Sequence, residues 1–423
     1  MKRLLSTFRF VFISCLLILI TATSAWQPAE SVDRIRAFTR DFEFDYFGWT
    51  LDAFWTKLST ASINPATYLN QNQQRKVLKA YFQTLSDTRD LEGSLEKYYA
   101  DPLSDLDPDE KAAIEAELNR KKSELTNSAA LAEAIIQDQI SQSLDELGLA
   151  EINQPIPPVL FHATDLPKNL VISPRDVIRQ ERSVSLTTDI ALIDEIAIES
   201  AVEDNTEFSA LVVPVGGVGT YPTMVIQSGN LSALLDTVAH EWTHNYLTLR
   251  PLGIRYSTNQ ALRTMNETAA NIAGEEISRY VLRKFYWDLI RDQEEKPYQT
   301  YETSLNFVNQ NQEEPFDFRR EMYETRIKVD ELLSQGKIEE AEAFMEEKRQ
   351  VFWDNGYTIR KLNQAYFAFY GAYADQPFSA AGADPVGSDV RLLRARSTSL
   401  AEFIHVISRL RSYQELKGLL HSY

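Results

Sequence analysis

The chain has 423 residues, 44% of them hydrophobic and 25% charged, and a formal net charge of −18. That length can bury a sizeable core and hold two or three subdomains around one site. The acidity works against nucleic acid and anionic membrane surfaces as partners.

Lys2, Arg3 and Arg9 precede the apolar run Phe10–Ile20, which ends in Thr21-Ala22-Thr23-Ser24-Ala25. A positive segment, an apolar segment and a small-residue site in that order predict an export leader cleaved after Ala25. Residues 1–25 are therefore set apart, and the expected location is periplasmic, cell-envelope or extracellular. The run is short for a membrane span, with an uncleaved N-terminal anchor as the alternative. The chain's one cysteine, Cys15, lies in this run. After cleavage no disulfide can form, so folding rests on core packing and on any bound metal.

Residues 26–153 read as a helical region. Phe38, Phe42, Phe44, Tyr46, Phe47, Trp49, Phe54 and Trp55 crowd its start and are expected to pack as core rather than as a ligand-binding surface. Asp107-Pro108-Asp109-Glu110 looks like a cap opening a charged, solvated helix through about Thr126. The character changes at Gln154-Pro155-Ile156-Pro157-Pro158, a boundary. Val159–Phe161 and Asn169–Ile172 read as strands, and His162 as a structural histidine with its hydrogen bonds met. Leu211–Val215 and Met224–Ile226 are expected to be two strands joined by the glycine-rich turn Gly216-Gly217-Val218-Gly219. As a phosphate loop that turn is weak, because it lacks a Lys-Ser/Thr ending.

His240-Glu241-Trp242-Thr243-His244 follows, an H-E-x-x-H motif. Leu231, Leu234, Leu235, Val238, Trp242, Tyr246 and Leu249 make an apolar helical stripe, with Asn230 as N-cap and Pro251 and Gly253 beyond the end. His240 and His244 fall roughly opposite that stripe, one turn apart, so core packing does not explain them. Two such imidazoles can take two corners of a zinc tetrahedron. Glu241 beside them is placed to take a proton from a water in an open corner.

A second helix is predicted from Asn259 into the 280s, with Leu262, Met265, Ala269, Ile272, Ala273 and Tyr280 as its apolar stripe. Glu267, Asn271, Gly274 and Ser278 share the other side. Glu267 is the candidate third ligand, with Glu275 and Glu276 as rivals. Asn271, one turn on, is suited to hydrogen-bond a ligating histidine and fix its tautomer. The rest of the chain is again helical, over about 319–335, 337–349, 357–373 and 399–419, with an open loop at 379–385. Asn363, Tyr366, Tyr370 and Tyr373 line one helical face, whose tyrosines offer phenol donors, and His405 is a further candidate donor.

The pair H-E-x-x-H and Asn266-Glu267-Thr268-Ala269-Ala270 resembles the gluzincin class of zinc metallopeptidases, which includes thermolysin and the zinc aminopeptidases. It is similar, in particular, to a family of bacterial proteins described as aminopeptidases. Those carry an N-E-S-F-A-type segment after the zinc helix and a later L-N-N-A segment, matched here by Leu362-Asn363-Gln364-Ala365. The likeness spans roughly Leu211 to the C-terminus and is sharp only at 240–244 and 266–271. Asn271 stands where thermolysin-like enzymes carry Asp, and the spacer before Glu267 is longer. The resemblance implies His240, His244 and Glu267 as ligands of one zinc ion, Glu241 as general base and Tyr373 as transition-state donor. It also implies an edge strand near Gly216 and Gly217 that pairs with extended substrate.

The expected fold is α+β and mostly helical. A zincin-like core with a small mixed or antiparallel sheet, residues 154–300, is flanked by helical regions at 26–153 and 301–423. The expected function is an exported zinc metallopeptidase acting on peptide or protein substrates, with endopeptidase and aminopeptidase both open. The competing reading is a cell-envelope binding or scaffold protein with a structural or vestigial zinc site.

Overall fold

The computed structural model describes residues 29–61, 65–100, 108–151, 153–256, 258–287, 316–373 and 380–422. The expected leader, with Cys15, lies outside these residues, as does Ser379 of the expected loop. The chain divides into two compact units at Phe42. The first carries helix α1 (Ala29–Thr39) and a short 3-10 turn, Arg40–Phe42. About two thirds of the fold (67%) is helical, with small sheets, which is an α+β composition. No helix among the described residues is long and apolar enough to cross a membrane.

The larger unit opens with three helices, α2 (Tyr46–Ala61), α3 (Gln71–Ala100) and α4 (Pro108–Glu146). Leu78, Tyr81 and Leu85 on α3, and Ala132, Ile135, Ile136, Ile140 and Leu144 on α4, recur at helical spacing and enter one core. Fully burying a Leu or Ile contributes roughly 1.5–3 kcal/mol, so these stripes drive the pairing. The aromatics that crowd the start do not join that core. Phe47, Phe54 and Trp55 are 63%, 46% and 65% exposed, and the other five are half-buried. The reason lies in which face of α2 turns inward: Trp49, Ala53 and Lys57, spaced four apart, face α4 and the first strands. Lys57 pairs with buried Glu133 of α4, whose Oε1 also lies 3.1 Å from His162 Nδ1 and accepts from the Ala163 amide at 2.8 Å. His162 is thus held structurally, as its isolation in sequence suggests.

After the short pair β1 (Ala150–Glu151) and β2 (Gln154–Pro155), two three-stranded sheets form. In one, β4 (Lys168–Pro174) lies between β5 (Arg182–Leu186) and β6 (Phe208–Val213), all antiparallel, with Val171 opposite Leu211. Helix α5 (Leu192–Asn205) connects β5 to β6. In the other, β8 (Thr223–Ile226) pairs in parallel with β3 (Phe161–Thr164) and antiparallel with β7 (Gly217–Val218). The expected hairpin of 211–215 with 224–226 is therefore corrected. Those strands sit in different sheets, and Gly217–Val218 is itself the outer strand, hairpinned onto β8. A β-branched run pairs with whichever neighbour matches its buried face, and β6, buried almost throughout, finds that match in β4.

Helix α6 (Leu231–Thr248) leaves β8 after a short turn, and Asn230 caps it by accepting from the Ser232 and Ala233 amides. A single turn, α7 (Pro251–Ile254), leads to α8 (Gln260–Phe285), capped by Asn259. Buried residues surround α8 on nearly every side, because α4, α6 and the C-terminal helices pack around it. Beyond it come α9 (Phe318–Ser334), α10 (Ile338–Asp354), α11 (Gln364–Tyr373), α12 (Val386–Arg396), α13 (Leu400–Ile407) and α14 (Tyr413–Ser422). Helices α9 to α11 bury Met322, Val329, Met345, Phe352 and Phe367 as a second core. Ala365 and Phe369 of α11 also cover Val171, Leu211 and Val213 of the antiparallel sheet.

Candidate metal centre

Helices α6 and α8 pack against each other along most of their lengths, and their polar positions meet in register. The register is antiparallel: His244 meets Asn266 and Glu267, and His240 meets Asn271 one turn further on. Gly274 permits the approach. A Cβ there would stand 3.0 Å from the Asp236 carbonyl oxygen and 3.2 Å from His240 Cβ.

Three ligand atoms converge on one point. His240 Nε2 and His244 Nε2 lie 2.9 Å apart, and Glu267 Oε2 lies 3.7 and 3.3 Å from them. Among the described residues, His240, His244 and Glu267 are the group of three that could hold a metal ion, with all ligand atoms within 4.8 Å. Glu267 Oε2 is buried and has no hydrogen-bond partner. A buried carboxylate oxygen without a partner is costly, and a cation placed between it and the two ring nitrogens would satisfy all three atoms. The donor set of two imidazoles and one carboxylate, with a free corner, fits zinc.

Electrostatics agree with the geometry. Burial opposes charge on His244, but the Glu267 carboxylate outweighs it and lifts that histidine to about 9. Burial and then the His244 charge hold His240 down at about 3. Burial would raise Glu267, yet His244 pulls it down to about 2. The positive charge on His244 is thus balanced by the Glu267 carboxylate, with His240 neutral. Glu241, buried beside them, is raised by that burial to about 7.

Gly217 of β7 lies directly on Glu241; a Cβ there would meet Glu241 Cγ and Cδ at 2.7 and 2.8 Å. Gly216 belongs to the same strand end, its carbonyl accepting from the Ile226 amide at 3.2 Å. The turn between β7 and β8 and the start of β8 are tied to α6 by Asn245 Nδ2, which donates to the Thr220 carbonyl at 3.3 Å and to Thr223 Oγ1 at 2.9 Å. The outer strand is thereby held at the Glu241 end of the site.

Tyr373 reaches the site from the end of α11. Tyr373 is 36% exposed, but its hydroxyl end is turned inward, and burial there, then the Glu267 carboxylate and Tyr256, push its phenol well above the usual range, so it remains a donor. Tyr366 instead packs with Tyr370 beside the antiparallel sheet. His405 lines a separate small cavity with Glu151, Tyr246 and Arg409. The rival ligands are engaged elsewhere: Glu275 pairs with Arg279, and Glu276 takes a two-pronged bond from Arg394 at 2.7 and 2.8 Å. Asn363 caps α11 through the Tyr366 amide and donates to the Ala210 carbonyl at 3.0 Å, a structural tie between α11 and β6.

Two site residues, Tyr256 and Arg263, carry no sequence signal strong enough to single them out, and Asn266 stands in the sequence only as the first residue of the Asn-Glu motif. Asn266 accepts from His244 Nδ1 at 2.7 Å, fixing that tautomer, while Asn271 does the like for His240. Tyr256 donates to Glu267 Oε1, and Arg263 donates to the Tyr256 hydroxyl at 3.2 Å. Arg263 stands four before Glu267 on one helix, the spacing of an ion pair, which is the one hint available. No protein family, curated protein or solved structure matches the chain.

Proposed function

We propose that the chain is an exported zinc-dependent metallopeptidase of gluzincin type, hydrolysing peptide bonds in peptide or protein substrates. The observation that carries this reading is the convergence of His240, His244 and the partnerless Glu267 Oε2 beside a buried, otherwise unexplained Glu241. A zinc ion held by the trio would supply a Lewis acid that acidifies a water and polarises the scissile carbonyl. Glu241 accepts the proton of the attacking water on its carboxylate and passes it to the leaving amine. Tyr373 donates to the carbonyl oxygen as negative charge builds on it. The outer strand β7 offers backbone groups to an extended peptide, which would lie across the base by strand addition. Export is supported by the leader-like segment through Ala25.

The test is a pair of measurements on the purified chain and its Glu241→Gln variant. Both should hold about one zinc per chain, and the variant should lose roughly 10²–10⁴-fold in peptide hydrolysis. A fully active Gln variant would sink the mechanism. Zinc in both proteins with no hydrolysis of any peptide by the parent would favour the scaffold reading.

A further inference from the structure

The side of Glu267 that faces away from the histidines is as constrained as the side that faces them. Its Oε1 accepts from the Tyr256 hydroxyl, which accepts in turn from Arg263 Nε at 3.2 Å. Arg263 is buried, and its Nη1 donates to the Ala368 carbonyl of α11 at 3.1 Å. A guanidinium has no acceptor atom. The single phenol proton of Tyr256 therefore has one place to go, and that is Glu267. One carboxylate oxygen is committed to the protein, while the other, Oε2, is left bare beside His240 and His244.

We propose that Tyr256, oriented by Arg263, is a positioning residue that makes Glu267 a one-oxygen ligand and so keeps a coordination position open for water and substrate. The inference rests on the metal-centre reading above. A carboxylate released from such a bond can swing to grip a cation with both oxygens. That raises the coordination number and fills the corner the reaction needs. Tyr256 lies in the irregular stretch between α7 and α8, so nothing helical fixes its side chain. Its ring stands edge-on to His244 with centroids 6.2 Å apart, which leaves the hydroxyl to reach past the histidine to Glu267.

The experiment uses the full chain loaded with Co²⁺ in place of zinc, comparing Tyr256→Phe with Tyr246→Phe. Tyr246 is a buried tyrosine of α6 whose hydroxyl has no hydrogen-bond partner, so its variant controls for loss of a buried phenol. The parent and Tyr246→Phe should show the intense visible bands of four-coordinate cobalt. In Tyr256→Phe those bands should weaken several-fold as Glu267 closes on the ion, and zinc affinity in a chelator competition should change by about 10–100-fold. Arg263→Gln, which leaves the phenol but removes what directs its proton, should move the bands the same way and serves if the Phe variant does not fold. Unchanged bands and zinc affinity within twofold of the parent in the folded variant would overturn the positioning role while leaving the metal centre standing. A parent chain that binds neither cobalt nor zinc would overturn both.

Discussion

At Gly217 a single hydrogen atom is all the room that the Glu241 side chain leaves. Any Cβ there would press on the Glu241 side chain, whose Cδ would be only 2.8 Å away. Glu241 is buried, so it has little room to retreat. Gly217→Ala should leave zinc content unchanged, because neither histidine is touched, yet lower kcat by about 10²-fold, the loss typical of a group displaced by an ångström. Side-by-side metal analysis and peptide turnover would decide it; equal turnover would mean that Glu241 is not the base or that β7 yields freely. At this scale the residues that converge at the candidate metal centre were legible in the sequence. His240, Glu241, His244 and Glu267 announce themselves by identity and spacing, and Asn271 by its place one turn beyond Glu267. Tyr256 and Arg263 did not, because their role comes from a chain reversal between two helices that no local pattern encodes.

At the scale of elements, the tie between α2, α4 and β3 is a buried charge cluster rather than an apolar seam. Burial works to raise the Glu133 carboxyl, but Lys57 and His162 overcome it and hold it below the ordinary 4.5. Removing one member of such a pair leaves the other buried and uncompensated. Glu133→Gln should cost about 3–5 kcal/mol, and the double change Lys57→Met with Glu133→Leu should cost less. The sign with pH follows from the depressed value. The stabilisation is fully present above about pH 4.5, the unfolded carboxyl's value, and is lost as pH falls through the lower folded one. Urea melts at neutral pH and near pH 3 should show a steeper acid loss in the parent than in Glu133→Gln; parallel losses would remove Glu133 from the account. Helices were largely legible here: the segment expected near 319–335 is α9 to within a residue at each end, and the one expected near 337–349 is α10, which runs five residues further. The sheets were not. Strand-like runs were found, but partner choice is set by long-range burial, and it sent β6 and β8 to separate sheets. Helix α5 was missed because Leu192, Ile193 and Ile196 are exposed and blur its stripe.

For the whole molecule, a bound ion adds to stability only through the folded state. With free zinc at a hundred times its dissociation constant, the gain is about 2.7 kcal/mol. Thermal melts with zinc and with chelator should therefore differ by several degrees, and the His240→Ala chain should show no difference. Coincident melts of the parent would argue against metal binding by the folded protein. The two helices that carry His240, His244 and Glu267 also meet at Gly274, where a Cβ would crowd the Asp236 backbone and His240 itself. The triangle of candidate ligands has two corners on one helix and one on the other, so its height is the distance between two rods. Gly274 acts as the spacer that calibrates that distance, and a residue outside the triangle thereby sets the bore that any ion held there would have to fit.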